Sequence, residues 1–201
     1  MSTPRSANSV QLSADTSKFL PLNTVRCQGP GIFRSQLARD FGCLLDVDDD
    51  VISWSCQSTI LQVRGEAYRP DFTVYRAGIT VLVDTLADDV SDCPTKWAAD
   101  AAQNAGHCYE IITRAAIPAI RLRNSKDLLR YARYEVPLSD RVRLLGALDE
   151  QGSLTVMEVL SAFYDIKPIA GIASLVLNRF ITIDLDDALI GPETHVRRKR
   201  D

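Results

Sequence analysis

The sequence predicts an α/β protein, a mixed sheet flanked by helices followed by a small α+β module, and three observations lead there. Between residues 51 and 84 short β-rich runs follow one another, ending in Ile79–Asp84 (ITVLVD), the nearly continuous apolar run of a strand buried on both faces. The period then changes. Thr95–Ala105 is Ala-rich, with Pro94 before it and Gly106 after it, which marks the start and stop of a helix. After Pro137 the pattern is helical three times over, and two short extended pieces follow.

Taken in order, residues 1–18 lack hydrophobic periodicity and read as a tail, with folding beginning near Phe19. Ser35–Asp46 sets Leu37, Phe41, Leu44 and Leu45 at helical spacing behind Ser35 as N-cap, and Asp48-Asp49-Asp50 reads as an exposed turn. Strands are expected at Val51–Ser55, Thr59–Arg64 and Asp71–Tyr75, with Ala77-Gly78 turning the chain into Ile79–Asp84. His107–Thr113 reads as a further strand and Ser125–Tyr134 as a further helix, completing a first unit over residues 19–138. In residues 139–201, Val142, Leu144, Leu145 and Leu148 share one helix face that Gly152 closes. A second helix runs from Ser153-Leu154-Thr155 to Tyr164 and a third over Ile169–Asn178, before extended pieces at Phe180–Asp184 and around Thr194–Val196. Three helices followed by a short hairpin is the order of a winged helix-turn-helix.

With 201 residues, 46% of them hydrophobic, the chain can bury a real core in one or two domains. No apolar run approaches a membrane span, and Met1–Thr16 carries no apolar signal core, so a cytoplasmic protein is expected. Cys27, Cys43, Cys56, Cys93 and Cys108 form an odd set without a Cys-x-x-Cys pair; they are expected to be small buried residues, not a disulfide framework or a zinc knuckle. A net charge of -3 supplies no global attraction for phosphates, so any binding of double-stranded DNA has to rest on local clusters. Two exist. One contains Arg121, Arg123, Lys126, Arg130, Arg133, Arg141 and Arg143, and the other is Arg197-Arg198-Lys199-Arg200. The third helix, at the position of a groove-reading helix, is notably apolar. Asn178 and Arg179 alone suit base or phosphate contact there, so its surface is also suited to packing or to a homodimer.

The chemistry-bearing stretch is Arg69-Pro70-Asp71-Phe72 with Val81-Leu82-Val83-Asp84. Two acids near the ends of adjacent strands can meet at a sheet edge and bind a hard cation such as magnesium, which supports phosphodiester cleavage. His107 and His195 lie in no ligand-spaced cluster, and Trp54 and Trp97 read as core or interface residues.

The order of these pieces carries a resemblance. A helix containing Arg34-Ser35-x-Leu37-x-Arg39-Asp40-Phe41 precedes a strand with Gln57, then Pro70-Asp71-Phe72, then a hydrophobic strand ending in Asp84. This resembles the TnsA family of transposon endonucleases, built on the PD-(D/E)XK restriction-endonuclease-like fold. The likeness continues through Gly106–Thr113, Arg121-Leu122-Arg123-Asn124 with Leu128–Tyr131, Gly152–Thr155 and Ile183–Val196, and so covers Phe33 to Val196. It implies a magnesium-dependent nuclease working with a transposase-type partner. At the catalytic positions, however, the family's helix glutamate is Ala38, its Pro-Asp aspartate is Asp71, its second acid is Asp84 and its lysine is Leu86. Leucine cannot orient water or offset developing charge. Lys96, at the start of the next helix, is the candidate for a relocated lysine, and Asp40 for a relocated acid on another helix face.

The expectation is therefore a DNA-binding protein with a nuclease fold and lost or weakened cleavage, with no cofactor if cleavage is lost and magnesium if the site functions, acting in transposition or its regulation. Two rivals stand beside it. One is an active magnesium endonuclease using Asp71, Asp84 and Lys96. The other is an adaptor that binds protein through Ile169–Asn178.

Overall fold

A computed structural model of the chain describes residues 19–21, 23–63, 66–86 and 95–200, so the tail expected over residues 1–18 lies outside the described residues. Helix α1 (Gln36–Val47) starts where the sequence places it, because the Ser35 Oγ accepts the Ala38 N–H at 3.0 Å. Its surroundings are unusual: Leu37, Ala38, Cys43 and Leu45 are buried, and so are Arg39, Asp40 and Asp46. A helix buried on all these faces is packed against more than one layer.

One layer is a four-stranded sheet of β1 (Val51–Cys56), β4 (Phe72–Arg76), β5 (Ile79–Leu86) and β6 (Cys108–Thr113), in the spatial order β1-β4-β5-β6. The first three strands are antiparallel neighbours, and β6 runs parallel to β5. A parallel pair needs a crossover, and helix α2 (Thr95–Asn104) lies between the two strands in sequence. Gly78, at φ 77°, supplies the left-handed residue of the β4–β5 turn. Along β5, Val81 and Val83 face a core with Trp54, Phe72, Ala38 and Leu45, while Leu82 faces Leu61 and Ala102. Burial of both faces is what the continuous apolar run required.

Three expectations about this first unit are corrected. Of the strand expected over Thr59–Arg64, β2 (Leu61–Val63) starts two residues later, Arg64 lies outside the described residues, and β2 pairs with an unforeseen strand β3 (Glu66–Tyr68). Helix α3 spans Ala119–Leu129, starting earlier and ending sooner than Ser125–Tyr134. Ser125 sits inside it and donates to the Arg121 carbonyl, so it is no cap, and short-range bonds such as Tyr131 N to Leu128 O turn the chain out of the helix. Cys108 is exposed, Cys27 and Cys56 are half-buried, and only Cys43 among the described cysteines is fully buried.

The second unit opens with α4 (Leu138–Gln151), closed by Gly152 at φ 76°. Next come β7 (Ser153–Thr155), α5 (Val156–Val159) running on into a 3-10 turn, α6 (Pro168–Leu177), β8 (Ile181–Ile183) and β9 (His195–Arg198). The three strands form an antiparallel sheet in the order β7-β9-β8. Ser153–Thr155, expected to begin a helix, is a strand instead. Its partner β9 lies some forty residues on, and Thr155 caps α5 through a reciprocal box with Glu158.

Packing does not respect the sequence boundary at residue 138. The second core joins Leu144, Leu148, Phe163, Leu175, Leu177 and Val196 to Leu128 and Leu129 of α3 and to Cys43 of α1. Arginine side chains bonded to backbone carbonyls reinforce the seam: Arg26 donates to the Leu177 carbonyl at 3.0 Å, and Arg179 to the carbonyls of Asp48 and Val51 at 2.8 and 2.6 Å. No helix among the described residues is long and apolar enough to cross a membrane.

Helix α6 is the most apolar element and is buried from Ala170 through Leu175. Its contact with Phe163 is close: a Cβ added at Gly171 would lie 2.3 Å from the Phe163 Cε1. Gly171→Ala would gain about 1 kcal/mol of helix propensity. Overpacking against a buried ring costs about 1–3 kcal/mol, so a net loss of stability is expected. Chemical denaturation of the two proteins checks it, and a rise in midpoint would show that the ring simply turns aside.

Candidate functional site

Asp71 immediately precedes β4 and Asp84 lies near the end of β5, and the antiparallel register that pairs Phe72 with Val83 brings the two acids together. Both are buried, at 6% and 3% exposure. The two residues are joined through the backbone, since the Asp71 N–H donates to the Asp84 Oδ1 at 3.0 Å.

A buried carboxylate needs donors, and here every one of the four oxygens has at least one. The Asp71 Oδ1 accepts from the Arg34 Nη1 at 2.9 Å, and its Oδ2 accepts the Thr85 N–H and hydroxyl at 2.9 and 2.7 Å. The Asp84 Oδ2 accepts the hydroxyls of Tyr68, at 2.6 Å, and of Tyr109. Burial first, then the bond to Asp84, raises the pKa of the Tyr68 phenol well above its ordinary value, so it stays a donor. Arg34 stands just before the N-cap of α1 and is braced by a second bond from its Nη2 to the Arg69 carbonyl at 2.6 Å. Its Nη1 is also 4.0 Å from the Asp84 Oδ1, so one guanidinium faces both acids.

Of the other residues expected here, Ala38 is buried in the sheet-side core and contributes no polar atom. Leu86 ends β5. Lys96 is the second residue of α2, and its side chain lies outside the described residues. The neighbouring Trp97 packs edge-on against Tyr68 at 5.0 Å, so the start of α2 supports the tyrosine that holds Asp84. Asp40 belongs to a different cluster. Its Oδ1 accepts from Gln36 and Lys126, both at 2.6 Å, and its Oδ2 from Arg114 at 3.0 Å. Burial pushes the Asp40 pKa up, but hydrogen bonds from Lys126, Gln36 and Arg114 outweigh it, so the carboxyl is held below its ordinary value.

Arg34, Thr85, Tyr68 and Tyr109 are site residues that the sequence reading does not single out. Tyr109 carried a usable signal: opposite Leu82 in the parallel β5–β6 register, it falls on the face that Asp84 shares two residues on. Among the described residues no group of three or more His, Cys, Asp or Glu is placed to hold a metal ion. Magnesium, which the resemblance implies, wants carboxylate oxygens with free lone pairs. At the Asp71–Asp84 pair the two oxygens with a single donor, Asp71 Oδ1 and Asp84 Oδ1, both face the Arg34 guanidinium, so a cation does not fit there while Arg34 is in place.

Most of the expected DNA-contacting cations already have partners. Arg121 pairs with Asp186 at 2.7 Å, Lys126 with Asp40, Arg130 with Asp127 at 3.4 Å and Arg143 with Asp140 at 2.8 Å. Arg198 pairs with Asp149 and Lys199 with Asp49. Arg141 lies over the Phe180 ring and Arg143 also over Tyr164. Arg179 is a fastener rather than a surface group: at φ 61° it takes the left-handed position after α6, and it closes the helix by its N–H to the Val176 carbonyl. Its guanidinium bonds to Asp48 and Val51 lock the two units together. Arg123, Arg197 and Arg200 are exposed and have no ion-pair partner among the described residues.

A scan against protein-family models matches none of them, and a search of curated proteins returns no match.

Proposed function

We propose that the chain is a DNA-binding protein on a restriction-endonuclease-like scaffold that does not cut DNA, and that it serves transposition or its regulation. The observation that carries this reading is the Asp71–Asp84 pair, juxtaposed at the ends of adjacent strands but fully hydrogen-bonded, with Ala38 and Leu86 where a nuclease of this type would carry glutamate and lysine. The mixed sheet crossed by α2, and the succession α4, β7, α5, α6, β8, β9, support a nuclease-like unit followed by a winged-helix-like unit.

Because α6 is buried, duplex contact falls to exposed cations rather than to a groove-reading helix. Arg123, in the middle of α3, and Arg130, its C-cap, lie seven residues apart on one face, the Arg130 pair with Asp127 being solvent-exposed, and Arg197 and Arg200 lie on and after β9. Such contacts are to phosphates, so affinity should be modest, independent of sequence and steeply dependent on salt. Of the Ile169–Asn178 surface on which the adaptor alternative rests, Ala170 through Leu175 are buried while Ile169 and Asn178 remain exposed.

The test is fluorescence anisotropy of a labelled duplex without magnesium, together with a supercoiled-plasmid assay with magnesium or manganese. Binding that weakens with salt and no nicking are expected. Arg123→Ala with Arg130→Ala should reduce the log–log salt slope by about 0.9 for each phosphate that is no longer neutralised. Nicking abolished by Asp71→Ala would establish the active-endonuclease alternative, and absence of any binding at low salt would remove DNA as the ligand.

A further inference from the structure

The geometry points to Arg34 as the resident cation of the Asp71–Asp84 pair, a built-in positive group that holds the position between the two carboxylates and excludes a divalent ion from it. This rests on reading the sheet as a nuclease-type scaffold, but its test involves no DNA and no cleavage.

Three observations converge on it. The Arg34 guanidinium is 2.9 Å from the Asp71 Oδ1 and 4.0 Å from the Asp84 Oδ1, the only cation among the described residues that reaches both acids. It is anchored from the other side by the Arg69 carbonyl, so its position does not depend on the carboxylates alone. Thr85, Tyr68 and Tyr109 fill the two Oδ2 atoms, and the two Oδ1 atoms, each with a single donor, both face Arg34, so a hard cation would have to take the place of the guanidinium.

Charge explains why an arginine suits this place. Two carboxylates a short distance apart repel each other, and a cation facing both offsets that repulsion. With the family's lysine position filled by Leu86, Arg34 supplies that charge from the segment before α1. A guanidinium satisfies the pair with directed bonds, and while it stands there a divalent ion cannot reach the lone pairs that Asp71 Oδ1 and Asp84 Oδ1 still offer. At 39% side-chain exposure Arg34 is reachable by solvent, so it can be replaced without opening a hole in the core.

Manganese titration read by the loss of the free-ion EPR signal tests the assignment. Wild-type protein is expected to take up no manganese at this site, whereas Arg34→Gln, which keeps a donor for the Arg69 carbonyl, should bind one ion at least about tenfold more tightly. Adding Asp71→Asn to that variant should abolish uptake, and Arg34→Lys should stay metal-free. Arg76→Gln, which removes an equal charge from a surface pair with Asp48, should behave as wild type. Tight binding by the wild type, or a folded Arg34→Gln that binds no better, would overturn the inference. A second readout needs no variant: sub-millimolar manganese that broadens the amide signals of Asp71 and Thr85 in the wild type would overturn it as well. Failure of duplex binding in the separate assay would leave these results untouched.

Discussion

Trp54→Ala is expected to lower the unfolding free energy by about 3–5 kcal/mol, the usual cost of emptying a large aromatic site in a core. Trp54 is fully buried in β1, with Phe72 edge-on at 5.7 Å and Phe33 at 6.1 Å. Its indole N–H also donates to the Asp46 Oδ1 at 3.0 Å, so truncation both opens a cavity and removes a donor from a buried acid. Trp54→Phe separates the two effects: it retains much of the packing and should cost about 1–3 kcal/mol, close to the cost of leaving one buried polar group unpaired. Denaturant unfolding followed by far-UV circular dichroism measures both. The site should feel the change too, because Phe72 is the next residue after Asp71 and packs on Trp54. A loss below about 1 kcal/mol for Trp54→Ala would contradict a close-packed sheet-side core.

The parts of this fold that are legible in the sequence are those fixed by local chemistry. Ser35 can cap α1 whatever happens elsewhere, Gly152 can close α4, and the run ITVLVD can hardly be anything but an interior strand. What escapes depends on partners far along the chain. Ser153–Thr155 becomes a strand because β9 arrives beside it, and the β3 strand Glu66–Tyr68 is too short to show a period of two. The α3 boundary shifts because Ala119–Leu129 has a weak amphipathic signal, with its buried residues Asn124, Ser125, Leu128 and Leu129 including two polar ones.

The site divides along the same line. Asp71 and Asp84 can be paired from the sequence because each borders a run that reads as a strand, and adjacent antiparallel strands place such ends side by side. Arg34 is visible as part of Arg34-Ser35, yet its role is not, since its partner lies 37 residues on and only the packing of α1 against the sheet aims it there. The cationic surface is the least legible part. Charge runs show how many arginines exist, whereas pairs such as Arg121 with Asp186 and Lys199 with Asp49 decide how many remain available.

Asp46 provides the sharpest test of how α1 is tied to the segment before it and to β1. Its Oδ1 alone accepts three N–H groups, from Val25 at 3.1 Å, Arg26 at 2.9 Å and the Trp54 indole at 3.0 Å, and its Oδ2 has no hydrogen-bond partner among the described residues. Asp46→Ala strands those donors and should cost about 3–5 kcal/mol, taking each buried unpaired group at about 1–3 kcal/mol and allowing the half-buried ones some water. Asp46→Asn keeps the accepting oxygen and should stay within about 1 kcal/mol of wild type at neutral pH. The pH dependence separates them further. Burial raises the Asp46 pKa above its ordinary value, outweighing the bonds from Arg26, Trp54 and Val25. The native state therefore holds the proton more tightly than the unfolded chain, and the contribution of Asp46 is fully present below the unfolded value and is lost as pH rises through the folded one. Asp140 works in the other direction. Burial pushes its pKa up, but Arg143 and the N–H groups of Tyr164 and Asp165 outweigh that and hold it low, so its contribution is lost as pH falls. Subtracting the unfolding profile of Asp46→Asn from that of the wild type cancels the other carboxyls. The difference should fall as pH rises out of the acid range and then level off, and a difference that rises instead would show that Asp46 is stabilised as a carboxylate by the arginines around it.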